Sequence, residues 1–87
     1  MLRITPTKSS DHYIILRLEG RIAGPWVTAL WNACEEALSQ GKALELNLAE
    51  VSFLDNAGVG LLTRIRARGI ALADCSPFVA EQLKGAG

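Results

Sequence analysis

The sequence predicts an α/β domain: a four-stranded mixed sheet in the order β-β-α-β-α-β-α, with its helices mainly on one face. Two runs that alternate apolar and polar residues open the chain and are separated by a polar turn, the pattern of an antiparallel hairpin. From there helical and strand patterns alternate strictly, and such units imply parallel strands with right-handed crossovers. At 87 residues, 49% hydrophobic and 21% charged, the chain has the size and composition of one globular domain over residues 1–87.

The hairpin strands are Leu2 to Thr7 and His12 to Gly20, joined by Lys8-Ser9-Ser10-Asp11. Gly24-Pro25 opens the longest helical pattern, because proline at the first helical position gives up no bond a helix would make. Trp26, Leu30, Ala33 and Ala37 form its apolar stripe with Val27, Cys34 and Leu38 beside it. Asn32, Glu35, Glu36 and Gln40 fall outside, and Gly41 is placed to end the helix. Trp31 lies off the stripe, so the period leaves its burial open; exposed in part, it would suit a partner anchor.

Leu44, Leu46 and Leu48 alternate with Glu45 and Asn47 as a strand with a buried face does. Val51, Phe53 and Leu54 carry the apolar signal up to Asp55. Asp55 and Asn56 are both N-cap types, so a helix is expected to begin within a residue of Asn56. Gly58 and Gly60 each cost a helix interior about 1 kcal/mol relative to alanine, which implies close packing against that backbone. Ile70 to Ala73 is the last strand, and Ser76 caps a final helix from Pro77.

The amides at the Asn56 helix start form a preorganised positive site suited to a carboxylate, phosphate or partner carbonyl. The residues around it, Asn47-Leu48, Val51-Ser52-Phe53-Leu54-Asp55 and then Gly58-Val59-Gly60-Leu61-Leu62, resemble the signature of the STAS domain. That family is named for sulfate transporters and the anti-sigma factor antagonists of bacteria. Tyr13 to Gly20 is similar to the family's second strand, and Ala71 to Val79 to the strand, loop and Ser-Pro helix start that follow. The resemblance covers about the whole chain. It implies a non-catalytic, cytoplasmic, bacterial interaction module whose docking surface is Asp55, Asn56, Ala57 and Gly58 with the adjoining helix residues Val59, Leu61 and Arg64. The partners it implies are an anti-sigma factor of the serine kinase-like ATPase type or the ATPase of an ABC transporter.

Two departures from the family pattern bear on that expectation. The residue after the motif aspartate is usually a phosphorylated serine or threonine, and here it is Asn56, which has no hydroxyl. The loop after the second strand often carries an aspartate, and here Arg21-Ile22-Ala23-Gly24 places Ala23 there. A phosphorylation switch is therefore not expected, and binding would be constitutive. Longer members add a strand and helix after the Ser-Pro helix, whereas this chain stops at Gly87; the domain is either minimal or without that tail. An uncovered sheet edge would be open to pairing with a second copy.

Composition narrows the function classes. Nine basic and nine acidic residues give a formal net charge of zero, so no global field favours nucleic acid or an anionic membrane. No apolar run reaches the roughly 18 residues of a membrane span, and Met1 to Thr5 lacks the apolar core of a signal peptide. Cys34 and Cys75 have no metal-ligand spacing and read as small core or near-core thiols in a reducing compartment, with no metal or cofactor expected. His12 stands alone at a strand end, and Glu35, Glu36, Glu45 and Glu50 read as solvated charges, so no catalytic set is expected. Arg64, Arg66 and Arg68 read as a solvated face that complements the helix C-terminus. A sensor holding an anionic or apolar small ligand is the alternative to protein docking.

Overall fold

Elements form where apolar periodicity and turn chemistry agree. The structure, a computed structural model, describes residues 1–86. Strands β1 (Leu2–Ser9) and β2 (Tyr13–Ile22) precede helix α1 (Pro25–Ser39), strand β3 (Ala43–Leu54), helix α2 (Asn56–Ala67), strand β4 (Ala71–Ala73) and helix α3 (Pro77–Ala86). The sheet order is β1-β2-β3-β4, antiparallel between β1 and β2 and parallel thereafter. The expected mixed sheet and element order are therefore present. Boundaries move slightly: β2 continues through Gly20 to Ile22, and β4 starts one residue after Ile70. Gly20 adopts φ 106° where the Met1 carbonyl leaves no room for a Cβ, so glycine lets the strand pass rather than end.

One face of the sheet is buried and the other is wet. Leu16, Leu18, Ile22, Leu44, Leu46 and Leu48 point to the buried side, where α1 and α2 contribute Leu30, Cys34, Leu62 and Ile65 to the same core. Arg3, Arg17, Arg21 and Glu50 occupy the other face and are exposed. There Arg17 Nε lies 3.1 Å from Glu19 Oε1, with weaker approaches from Arg3 to Glu19 and from Arg17 to Glu50.

Strand β3 is where simple alternation stops. From Asn47 to Leu54 it takes seven residue steps against the five that β2 takes from Arg17 to Ile22. Two extra residues, one near Ala49 and one at Ser52, make bulges, and each bulge reverses side-chain parity. Leu48, Val51 and Leu54 consequently all face the core although they are three apart. Phe53, counted with the apolar run above, is turned outward and is 37% exposed.

Helix α1 also corrects the expected stripe. Its buried residues are Leu30, Cys34 and Ala37, with Val27 and Trp31 packed partly against the core, while Trp26 is 37% exposed. The two tryptophans lie roughly 140° apart around the helix. Trp31 is on the flank that meets α2, where Arg68 lies over its ring, so it is half-covered, whereas Trp26 is on the other flank. At the sheet edges, β4 offers three residues, and β1 carries Pro6 and a register shift between Pro6 and Lys8. Both features leave little ladder for a second copy to join.

Candidate functional site

The turn between β3 and α2 is built around one carboxylate. Asp55 leaves β3 in extended conformation and serves as N-cap of α2. Its Oδ1 accepts from the Gly58 amide at 2.7 Å and its Oδ2 from the Gly24 amide at 2.9 Å. Its own amide donates to the Ile22 carbonyl at 3.3 Å. One side chain thus joins the start of α2 to the loop before α1. The amides of Gly24 and then Gly58, both donating to the ionised form, hold the Asp55 carboxyl below its ordinary range. With both oxygens engaged, Asp55 presents the turn and leaves contact to its neighbours.

Those neighbours differ in access. Asn56 and Ala57 are exposed in the first turn of α2, Gly58 is buried, Val59 is half-buried and Arg64 is exposed. Leu61 is 3% exposed and belongs to the core, so of the expected docking residues it can supply only the floor of a depression. Gly58 meets the expectation of close packing, because a Cβ there would collide with the Ile22 carbonyl oxygen. Gly60 does not: a Cβ built on it meets nothing within 4 Å.

Sequence reading missed two features around the turn. Met1, Trp26 and Phe53, three of the five large apolar side chains left exposed, all lie at the carboxyl end of β2 and β3. Register places them there: Arg21 pairs with Phe53 and its amide bonds the Met1 carbonyl, and Trp26 follows in the first turn of α1. The Arg21 guanidinium sits 4.8 Å from the centroid of the Phe53 ring. The bulges of β3 produce this placement, and a strict period of two conceals it.

The second feature is a groove of about 340 Å³ between α1 and α2, lined by Val27, Thr28, Trp31, Leu61, Arg64 and Arg68. The Arg68 guanidinium lies 5.3 Å from the centroid of the Trp31 ring. Arg64 and Arg68 thus border a depression between helices rather than only a solvated helix end. The spacing of the arginines was visible in the sequence; the helix that faces them was not.

The remaining candidates lie elsewhere. His12 is in the hairpin turn, where its carbonyl accepts from the Ala43 amide, at the end of the sheet opposite Asp55. Cys34 is buried, and burial pushes its thiol up to about 11; Cys75 is half-buried. Among the described residues no group of three His, Cys, Asp or Glu side chains is arranged to hold a metal. Among them also, no helix is long and apolar enough to cross a membrane.

Comparison with known proteins gives a consistent result. The profile of one family, described as "Mlab, STAS domain", matches residues 6–87. No curated protein matches the chain. Among solved structures, the anti-sigma factor antagonist SpoIIAA in its unphosphorylated form is similar, with 25% identity and a TM-score of 0.74 over 98% of this chain and 81% of that one. The crystal structure of Mglu is similar at 25% identity and a TM-score of 0.59, over 78% of this chain and 18% of that one. An uncharacterized DUF3478-family protein with a SpoIIAA-like fold, from Shewanella loihica, shares the fold at 13% identity and a TM-score of 0.60, over 98% of this chain and 75% of that one.

Proposed function

Because the chain belongs to the STAS domain family, we propose that it is a non-catalytic regulatory module that binds a protein partner through the Asp55–Gly58 turn and the exposed face of α2. The observation that carries this reading is the exposure of Asn56 and Ala57 at a helix start fixed by both Asp55 oxygens. Such a start offers preorganised amides at no further ordering cost. The apolar residues Met1, Trp26 and Phe53 at the same end of the sheet supply the non-polar area a protein contact needs. Asn56 has the polarity of a serine and no hydroxyl, so the contact is constitutive and not under phosphorylation control. The partner is the ATPase of a bacterial cytoplasmic complex, either a serine kinase-like anti-sigma factor or an ABC transporter subunit. The likeness to the anti-sigma factor antagonist SpoIIAA supports the first.

Asn56→Glu tests the reading by placing charge and bulk at the contact. Co-purification from the source cells, with each ATPase class identified by mass spectrometry, is expected to fall at least tenfold while the melting temperature stays within a few degrees. Undiminished co-purification of the ATPase by a folded variant rejects the turn as the interface.

A further inference from the structure

We propose that the groove between α1 and α2 seats an acidic amphipathic helix of the partner, which crosses α2 at Gly60. This rests on the reading of the turn as a docking surface and deepens it by naming what the partner presents.

Gly60 supplies the first argument. A glycine in an exposed helix interior costs about 1 kcal/mol relative to alanine, and Gly58 justifies that cost through its contact with Ile22. Gly60 has no internal justification, since open space surrounds the position where its Cβ would be. Open space beside a missing side chain permits a backbone from outside to approach closely.

Charge supplies the second. Ala57, Gly60, Arg64 and Arg68 are spaced by three, four and four residues, so they form one stripe along α2. Among the described residues the only ion pairs lie on the far side of the sheet, between arginines 3 and 17 and the carboxylates of Glu19 and Glu50. Neither Arg64 nor Arg68 has a carboxylate within ion-pair distance among those residues. The α1 wall of the groove offers Val27, Thr28 and Trp31 and no acid. Two unpaired guanidinium groups one helical turn apart match two carboxylates one turn apart on an opposing helix.

The apolar residues between supply the third. Val27, Leu61 and Trp31 form an apolar floor and wall, suited to a bulky apolar side chain projecting between those two carboxylates. Stacking of Arg68 on Trp31 holds its planar group at the rim before a ligand arrives. Anchors spaced by helical turns in an apolar groove are the usual mode of helix recognition.

The test uses the full chain and a displayed library of 16-residue amphipathic helices in which charged positions are drawn from Asp, Glu, Lys and Arg. Enriched peptides are expected to carry two acids one turn apart flanking a bulky apolar residue. Their affinity should fall at least tenfold on Arg64→Glu with Arg68→Glu. It should also fall at least tenfold on Gly60→Leu, which adds helix propensity and is expected to hold or raise the melting temperature, so that lost binding is not lost folding. Peptides without acid preference, peptides indifferent to these substitutions, or no enrichment all overturn the proposal. Enriched peptides that respond to Asn56→Glu and not to Gly60→Leu reject the groove while preserving the turn as a docking surface. An arginine-dependent response to the probe 8-anilinonaphthalene-1-sulfonate without peptide enrichment makes the groove a small-anion site and also overturns it.

Discussion

Asp55 ties two backbone segments together, and its ionisation is linked to that task. Its carboxyl lies below an ordinary value of 3.8 because Gly24 and Gly58 donate to the charged form. A group depressed in the fold contributes stability that is fully present above the unfolded value, near 4, and is lost as pH falls through the folded value. Asp55→Asn keeps an acceptor for Gly58 but turns an amide group toward the Gly24 N–H. The variant is therefore expected to melt below wild type at pH 7, with the gap narrowing as pH falls below about 4; melting curves across pH 7 to 2.5 check this. The two nearby glycines separate just as clearly. Gly58→Ala drives a Cβ into the Ile22 carbonyl oxygen and is expected to cost about 1 to 3 kcal/mol. Gly60→Ala meets open space and is expected to stabilise by up to about 1 kcal/mol. Urea midpoints of the two variants should move in opposite directions.

At the scale of elements, the legible parts of the sequence were those governed by local chemistry. Asp55 before Asn56 and Ser76 before Pro77 start helices, and each cap bonds the amide three residues on, Gly58 and Val79 respectively. What the sequence concealed depended on neighbours distant along the chain. The buried stripe of α1 is turned from Trp26 toward Trp31 because the helix that shelters Trp31 lies more than twenty residues later. The groove has the same origin: Arg64 and Arg68 were visible one turn apart, but the α1 wall opposite them was not. The upper half of β3 departs from period two because of how it pairs with β2. Deleting Ser52 tests that account. Because Ser52 is the extra residue of the second bulge, the deletion leaves Val51 and Leu54 two apart, so regular alternation keeps Leu54 on the core face and Asp55 in register with Gly24. Ser52→Ala keeps the bulge and loses only the bond from Oγ to the Gly20 carbonyl at 3.2 Å, a change of about 1 kcal/mol or less. Chemical denaturation should show a small loss for both variants, and a large loss for the deletion alone would reject this account of the bulge.

For the molecule as a whole, the division of the sheet into a covered and a wet face assigns stability to one side and leaves the other nearly neutral. A domain of 87 residues is stable by about 4 to 13 kcal/mol, so a single core truncation removes a large share. Leu46 is fully buried at the centre of β3, and Leu46→Ala is expected to cost about 2 to 5 kcal/mol. On the wet face Arg17 approaches both Glu19 and Glu50, yet its side chain is 46% exposed. Exposed pairs of this kind contribute about 0 to 1 kcal/mol and weaken in salt. Arg17→Ala should therefore shift the denaturation midpoint only slightly, and by less at 1 M salt than at 50 mM. These charges satisfy one another, whereas Arg64 and Arg68 on the helical side have no carboxylate beside them among the described residues. That asymmetry agrees with the proposed docking of a partner on the helices and the carboxyl end of the sheet. Arg17→Ala with Glu50→Ala should accordingly leave partner co-purification unchanged; its loss in a folded double variant would move the interface to the wet face of the sheet.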